Sequence, residues 1–370
     1  MKSLALGLMS GTSADGVSAA AGTFSRKKFH LAGYRTYPFP YPLRLKIRNA
    51  HSLTTPELSR LNFELGQVFA AAALRFLKDF KIPRRHITVA GSHGQTVYHG
   101  PLDRPANTLQ IGEPSFLAEA LGVPVVADFR PRDMAAGGEG APLIPYFDHF
   151  FFGDGPVTAL QNIGGIGNVT VTGRGAKPVA FDTGPGNTLM DFAVKKLSGG
   201  KITYDREGRL AARGRLIIPA LETMCRHPYF KRKPPKSTGP ELFSEHFIPR
   251  LLWRHTPEDT LATLNFFTAW TIAESYRLFL PGTLSRVIIS GGGALNQTLV
   301  MHLAALLHPV PVISIDSFGL PPQAKEPLAF AFFAWRAIHG QINHSPEGTR
   351  ASGARILGKI IPAGSFHANA

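Results

Sequence analysis

Cysteine is almost absent from this sequence. Of its 370 residues only Cys225 is a cysteine, so the chain cannot form an internal disulfide. Proteins without disulfides are typical of reducing compartments, and we therefore expect a cytoplasmic protein.

Long apolar runs and metal-binding motifs are also missing. No uninterrupted apolar stretch is long enough to cross a bilayer, so we expect no membrane partner. The histidines form neither an H-E-x-x-H motif nor a Cys/His ligand spacing. The sequence therefore gives no sign of a metal site built from protein side chains.

Acidic residues are few compared with basic ones. The chain has 25 Asp and Glu against 40 Lys and Arg, a formal net charge of +15, which is compatible with anionic partners. The basic residues are scattered, however, and the densest run, K-R-K-P-P-K at 231–236, is broken by prolines. We interpret this run as a solvated surface loop and, without aromatic residues interleaved among the basic ones, expect no nucleic-acid partner.

Glycine is abundant, with 38 residues, and it clusters after predicted strands. Residues 4–18 read L-A-L-G-L-M-S-G-T-S-A-D-G-V-S, which predicts a strand, a polar glycine turn and a second strand. Glycine lets several backbone N–H groups approach one small anion, so the turn is a candidate phosphate cradle. An ordinary glycine and serine hairpin is the alternative.

The same pattern recurs along the chain. Strands followed by glycine and polar residues are predicted at 159–171, at 179–191 and from Arg286 through 291–293, where Asn296 would cap the next helix. The polar stretch 91–99 and the charged stretch 128–133 also follow short predicted strands, at 87–90 and from 123, and the charged stretch is expected to be a loop. Ligands of α/β proteins bind at such strand ends.

These turns favour a two-domain phosphotransferase. At 370 residues the chain exceeds the usual size of one core. It lacks G-x-x-x-x-G-K-[ST], and no G-x-G-x-x-G follows its first strand. We predict that Asp182, at the end of a strand and near a helix N-terminus that would keep it ionised, is the general base. Alternatively, Asp182 only accepts hydrogen bonds from loop amides.

Several segments together resemble the anhydro-N-acetylmuramic acid kinase family, which belongs to the sugar kinase, Hsp70 and actin superfamily. They are G-L-M-S-G-T-S at 7–13 with Asp15 and Gly16, G-Q-T at 94–96, D-F-R at 128–130 with Asp133, A-A-G-G at 135–138, G-A-P-L at 140–143, N-I-G-G at 162–165, D-T-G-P-G-N at 182–187, K-S-T-G at 236–239 with Glu241, S-G-G-G at 290–293 with Asn296, and Glu326. The resemblance extends from the first predicted strand to the last predicted helix.

The resemblance implies an α/β fold of two ribonuclease-H-like domains around an ATP cleft, and a homodimer. We expect residues 1–130 with about 350–370 in one domain and 131–349 in the other. It also implies that ATP, with Mg²⁺ held mainly by phosphates and water, is used to open the 1,6-anhydro ring and phosphorylate O6. The product would be N-acetylmuramic acid 6-phosphate, and the setting would be cell-wall recycling.

Site residues follow from the resemblance position by position. Asp182 would activate water. Arg130, Asp133, His93, Gln95 and Glu326 would bind the sugar, with Arg130 suited to a lactyl carboxylate. The nucleotide would contact Gly11, Thr12, Ser13, Ala14, Asp15, Gly16, Val17, Ser18, Asn162, Gly164, Gly165, Gly184, Gly186, Asn187, Gly291, Gly292, Gly293 and Asn296.

Alternatives stay open at this point. The substrate could be another 1,6-anhydro sugar such as levoglucosan, or the chain could be a non-catalytic ATP-binding module of the same superfamily. Arg130 could form an interdomain salt bridge, and His93 could be a structural hydrogen-bond donor. The chain also departs from the family at Ala14, usually leucine, at Ser18, usually aspartate, and at Pro327, usually alanine.

Overall fold

The computed structural model describes residues 3–11, 13–176, 179–280, 282 and 284–363. Contacts divide the chain into two units, one of Met1–Phe151 with Ala324–Ala370 and one of Phe152–Gln323. Each unit combines one sheet with helices, so the predicted two-domain α/β class is confirmed. The boundaries expected near 130 and 350 both fall inside the first unit.

The first unit is built on a seven-stranded sheet with the order β12-β6-β4-β1-β2-β3 and with β5 paired to β4. With elements numbered along the chain, its strands are β1 (Leu4–Ser10), β2 (Gly16–Ser25), β3 (Lys28–Pro38), β4 (Ile87–Gly100), β5 (Asn107–Ile111), β6 (Val125–Ala127) and β12 (Lys359–Ile361). Its helices are α1 (Tyr41–Arg48), α2 (Thr55–Asp79), α3 (Ser115–Leu121), α4 (Phe129–Met134), α5 (Ile144–Phe152), α10 (Lys325–Ile338) and α11 (Pro346–Thr349).

The second unit has a five-stranded sheet with the order β11-β10-β7-β8-β9. Its strands are β7 (Thr158–Ile163), β8 (Ile166–Thr172), β9 (Val179–Pro185), β10 (Arg286–Ser290) and β11 (Val312–Ser314). Its helices are α6 (Thr188–Leu197), α7 (Ile218–Cys225), α8 (Pro257–Phe279) and α9 (Gln297–Leu307). Among the described residues, none of the helices in either unit combines the length and apolar character needed to span a bilayer.

The two sheets share one strand arrangement. In each, the first three strands form an antiparallel meander, and two further strands follow in parallel on the other side of the first, β4 and β6 in the first unit and β10 and β11 in the second. Strand β5 is an antiparallel addition to β4. This is the ribonuclease-H-like arrangement that the family resemblance implied. The glycine turn after the first strand of each meander therefore occupies the same place in both units.

The cap predicted at Asn296 is confirmed, and a side chain also satisfies a free N–H group at the start of α2. At the start of α2, Glu57 Oε2 accepts a hydrogen bond from the Thr54 backbone N–H at 2.8 Å. Asn296 Oδ1 accepts from the Leu299 backbone N–H at 3.0 Å and so caps α9. Short polar side chains before an apolar run satisfy the free N–H groups of a helix end.

Three local predictions were wrong. Residues 91–99 lie inside β4 rather than beyond it, because β1 pairs with this strand on one side and β5 pairs with its later residues. The stretch expected to be a loop at 128–133 is largely helix α4. Strand β9 continues past Asp182 to Pro185, so this carboxylate lies within a strand.

Helix α10 lies directly against the backbone of β1 and β4. A Cβ atom on Gly7 would lie 2.5 Å from the Ala331 backbone nitrogen and would overlap the Pro327 carbonyl oxygen. A Cβ atom on Gly91 would likewise overlap the Phe330 carbonyl oxygen. Only glycine permits this approach, and the close packing explains why the segment from Ala324 belongs to the first unit.

We expect Gly7→Ala to lower the free energy of unfolding by about 3 kcal/mol, because an overpacked helix backbone cannot move aside cheaply. Urea titration followed by circular dichroism measures the change. Gly348→Ala is the matched control in the same unit, since its Cβ would come no closer than 3.8 Å to the Pro142 carbonyl oxygen. Equal stability of the two variants would contradict this account of the packing.

Candidate functional site

The first glycine turn follows β1 and is shorter than predicted. Gly11 closes it by accepting a hydrogen bond from the Ala14 backbone N–H at 3.0 Å, and Thr12 lies outside the described residues. A Cβ on Gly11 would meet no atom of the described residues within 4 Å, so there is room beside this backbone. Ala14 has a φ of 51°, a left-handed conformation that costs a non-glycine residue about 1 kcal/mol or more.

Side chains of α1 hold this turn from outside. Arg44 forms an ion pair with Asp15, and Arg48 Nη2 donates to the Ser13 carbonyl oxygen at 3.3 Å. The other predicted nucleotide contacts, Gly16, Val17 and Ser18, lie in β2 and pair with β3. The backbone left unpaired by the sheet is therefore that of the turn before Gly16.

In the second unit the predicted turns converge. The Gly164 and Gly165 carbonyl oxygens accept hydrogen bonds from the Asn187 and Gly186 backbone N–H groups, each at 2.8 Å. A Cβ on Gly186 would overlap the Gly164 carbonyl oxygen. The turn at 291–293 lies against Asn162 and Asn187. A Cβ atom on Gly291 would come 2.6 Å from Asn162 Oδ1. Cβ atoms on Gly292 and Gly293 would come 3.5 Å from Asn187 Nδ2 and 3.2 Å from Asn187 Oδ1.

Two predicted nucleotide residues have neighbours outside this cluster. Gly184 is in β9, where it pairs with Gly167 and lies against Phe230 and Thr271. The Asn296 side chain is occupied, because its Oδ1 caps α9 and accepts a hydrogen bond from Asn265 Nδ2 at 3.1 Å.

Asp182 lies in β9 and is partly exposed. Its Oδ2 accepts a hydrogen bond from the Thr238 backbone N–H at 2.9 Å, and its other carboxylate oxygen has no hydrogen-bond partner within the described part of the chain. Burial raises the pKa of Asp182 to about 6, with Glu241 adding to the rise and the Thr238 N–H and Lys236 opposing it. The expected stabilisation of the charge by a helix N-terminus is outweighed by desolvation.

The burial of Lys236 contradicts the interpretation of the whole basic run 231–236 as a solvated surface loop. Its side chain is only 4% exposed, so it is not part of a solvated loop. The ammonium lies 4.6 Å from the centre of the Tyr229 ring and 4.7 Å from that of Phe279. Lys231 and Lys233, in the same run, are exposed as predicted.

In the first unit, His93 and Arg130 form a pair. Arg130 Nε donates to His93 Nε2 at 3.0 Å, and His93 Nδ1 lies 3.2 Å from the Gly94 carbonyl oxygen. The imidazole is therefore a neutral acceptor towards Arg130, and burial together with the Arg130 charge lowers the pKa of His93 to about 3. Arg130 Nη1 donates to the Gly140 carbonyl oxygen at 3.0 Å, which leaves Nη2 and one Nη1 hydrogen free of these contacts.

Gln95 and Asp133 are satisfied by the protein itself. Gln95 Oε1 accepts from Ser10 Oγ at 2.6 Å, and Gln95 Nε2 donates to the Thr96 carbonyl oxygen at 3.1 Å. Asp133 is fully buried and accepts from the Gly140 backbone N–H at 2.7 Å and from Thr349 Oγ1 at 2.6 Å. Burial alone would raise the pKa of Asp133, but His344, Thr349 and Gly140 together lower it.

Glu326 is the second residue of helix α10 and lies close enough to Arg130 for their charges to interact. Burial raises the pKa of Glu326, while Lys325 and Arg130 oppose the rise. Lys325, its neighbour, forms a buried ion pair with Asp148 at 3.2 Å. No described residue hydrogen-bonds the Glu326 carboxylate, so this carboxylate can accept hydrogen bonds from a ligand.

Glycine backbone is the feature that the predicted nucleotide turns share. Over the residues that the structure describes, no three His, Cys, Asp or Glu side chains cluster closely enough to hold a metal ion. Glycine backbone, which can approach phosphate oxygens closely, is present instead at Gly11 and at the 164–165 and 291–293 turns.

Sequence reasoning missed the residues that surround the two carboxylates. Lys236, Thr238 and Tyr229 contact Asp182, and His344 and Thr349 contact Asp133. The segment 236–239 was part of the family resemblance, yet nothing in its local pattern predicted that the lysine is buried. Contacts between residues so far apart in sequence leave no periodic signal.

Comparison with known proteins gives consistent results over the length of the chain. Residues 3–363 match the family described as anhydro-N-acetylmuramic acid kinase. A protein of that name from Caldanaerobacter subterraneus subsp. tengcongensis is 40% identical, with 96% of each chain covered. Another from Streptomyces coelicolor is 41% identical, with 96% of this chain and 93% of the relative covered.

Similarity to solved structures is more remote. Component A of (R)-2-hydroxyglutaryl-CoA dehydratase from Acidaminococcus fermentans aligns with a TM-score of 0.46 and 13% identity over 89% of this chain and 95% of that one. On the match to the family and on relatives at 40% identity over nearly the full length, the chain belongs to the anhydro-N-acetylmuramic acid kinase family.

Proposed function

We propose that the protein is an ATP-dependent kinase that opens the 1,6-anhydro ring of anhydro-N-acetylmuramic acid with water and phosphorylates O6. The products are N-acetylmuramic acid 6-phosphate and ADP. The observation that carries the mechanism is the Asp182 carboxylate, which has one oxygen fixed by the Thr238 N–H and one open. A carboxylate so held can take a proton from water in a defined direction.

In this proposal Asp182 removes a proton from the water that attacks the anomeric carbon. The bond from C1 to the bridging oxygen breaks, and that oxygen, now O6, becomes the phosphoryl acceptor. One proton acceptor thus serves ring opening directly and phosphorylation indirectly. A carboxylate with a pKa near 6 is largely ionised at neutral pH and is more basic than an ordinary aspartate.

The glycine turns are the proposed nucleotide contacts. The backbone at Gly11, Ser13 and Asp15 and that of the clustered turns at 164–165 and 291–293 can come close to phosphate oxygens and ribose. The Gly164 and Gly291 N–H groups are already used, because they donate to the Ile166 and Pro322 carbonyl oxygens. Bound ATP would supply the phosphoryl group, and Mg²⁺ would offset the negative charge of its phosphates. With no cluster of metal-ligating side chains among the described residues, Mg²⁺ would be held mainly by phosphates and water.

Arg130 is the proposed contact for the lactyl carboxylate of the sugar. Its Nη2 and one Nη1 hydrogen are not used by His93 or Gly140, and two guanidinium nitrogens can contact the two oxygens of one carboxylate. Glu326 supplies a carboxylate for sugar hydroxyl or amide groups. The contacts of Gln95 and Asp133 support a role in fixing the first turn and the loop at Gly140, and direct contact of either with the sugar stays a prediction, as do the homodimer and the cytoplasmic location.

The proposal is tested first by ADP release with a panel of sugars. We expect ADP formation to depend on anhydro-N-acetylmuramic acid, and Asp182→Asn to lower kcat by about 10²- to 10⁴-fold while ATP still binds. The asparagine oxygen can keep the Thr238 hydrogen bond, so the loss reports the missing base. Glu245→Gln, a change at an exposed carboxylate of the same unit, is the control. Equal or faster turnover of levoglucosan would overturn the substrate assignment.

The pH profile follows from the raised pKa of Asp182. A base must be ionised, so kcat/KM should fall as the pH drops through about 6 and should level off above it. Initial rates at saturating ATP, taken from about pH 5 to about pH 8, cover the range in which such a group titrates and measure the fall in kcat/KM. A fall in kcat/KM centred near pH 4, the ordinary pKa of an aspartate, would show that burial does not raise the pKa of the base.

Arg130→Lys should raise KM for anhydro-N-acetylmuramic acid by about tenfold or more and leave KM for ATP nearly unchanged, because an ammonium cannot make a two-pronged contact. Any residual turnover of levoglucosan, which lacks the lactyl group, should change much less. Steady-state kinetics with both sugars separate these effects. A similar loss on both sugars would assign Arg130 to structure rather than to carboxylate binding.

A further inference from the structure

Lys236 is a buried cation that the proposed mechanism does not use. Its ammonium lies 4.6 Å from the ring centre of Tyr229, 4.7 Å from that of Phe279 and 5.8 Å from that of Phe181. We name these three rings the aromatic cage. The only hydrogen bond of the ammonium to a described residue is a long one, 3.4 Å, to the Tyr229 carbonyl oxygen. Burying a cation with so little hydrogen bonding is costly, and ring faces offset only part of the cost.

The backbone around Lys236 holds Asp182 from several sides. The Lys236 carbonyl oxygen accepts from the Asp182 backbone N–H at 3.0 Å, and the Thr238 backbone N–H donates to Asp182 Oδ2 at 2.9 Å. The Tyr229 hydroxyl, from the aromatic cage itself, donates to the Asp182 carbonyl oxygen at 2.8 Å. The segment 236–238 is thus an extra partner of β9 at Asp182, and the cage fixes one end of it.

The charges that act on Asp182 are few. Lys236 favours the ionised carboxylate, whereas Glu241 opposes it, and Tyr229 and Arg232 are the other titratable groups of this cluster. Burial and Arg232 lower the pKa of Lys236 to about 8, against the opposing effect of Asp182. Lys236 therefore remains mostly protonated at neutral pH.

We propose that Lys236 is a positioning residue for Asp182: anchored in the aromatic cage, it holds the segment 236–238 against β9 and supplies the positive charge beside the carboxylate. The proposal extends the proposed function, in which Asp182 is the base. It concerns how this carboxylate is held and charged, and it is therefore open to a measurement that does not depend on turnover.

The test compares Lys236→Met with Lys233→Met, a control at an exposed lysine of the same run. The Lys236 ammonium has one long hydrogen bond and lies among three aromatic rings, so methionine can fill the same space without leaving a strong hydrogen bond broken, and we expect Lys236→Met to fold. The pKa of Asp182, read from the ¹³C resonance of its carboxyl carbon and assigned with Asp182→Asn, should rise by about one unit in Lys236→Met and stay unchanged in the control. Lys236→Arg, which keeps the charge, should restore most of the wild-type value.

Turnover gives the second readout. A rise of about one unit in the pKa of Asp182 lowers kcat/KM about fivefold at about pH 6 but less than about twofold at about pH 7.5. A structural defect lowers kcat/KM equally at both pH values. An unchanged Asp182 titration in Lys236→Met overturns the inference. A shifted titration with an unchanged rate profile instead supports the inference and refutes Asp182 as the base. Should the methionine variant fail to fold, Lys236→Gln takes its place and the same outcomes decide.

Discussion

Removing charged groups from water is the constraint on which the candidate site residues of each unit depend. Each buried or half-buried ion here is compensated, but to different degrees. Lys325 and Asp148 compensate each other fully, with 3.2 Å between Lys325 Nζ and Asp148 Oδ2. Asp182 and Lys236 are compensated only in part, by one amide, by aromatic rings and by each other's charge. Incomplete compensation is costly for stability but leaves a group able to react.

Two carboxylates illustrate the difference. Asp133 accepts hydrogen bonds from Gly140 and Thr349, and these partners lower its pKa. It therefore stays ionised at neutral pH and holds its neighbours in place. Asp182 receives one such bond and has its pKa raised to about 6. Proton transfer at neutral pH requires the second kind of environment. The contrast supports Asp182 rather than Asp133 as the proposed base.

The sequence predicted what depends on local pattern. The expected cap at Asn296 located the start of α9, and the repeated strand and glycine turns predicted two similar sheets. It failed where a distant partner decides the outcome. Strand β4 continues through residues 91–99 because β5 pairs with it, and Lys236 is buried because Tyr229 and Phe279 surround it. Neither partner is visible in the residues on either side.

Arg130, the proposed carboxylate contact, shows how such distant contacts can order a side chain before a ligand binds. A free arginine side chain samples many rotamers, and binding a carboxylate would have to restrict them. Here His93 and Gly140 hold two N–H groups of the guanidinium before any ligand arrives, and Phe330 packs against the imidazole at 4.7 Å between ring centres. Because burial keeps His93 neutral, it can accept from Arg130 without adding a second positive charge. The arginine therefore keeps its full charge and a fixed orientation, and less of the binding free energy is spent on ordering it.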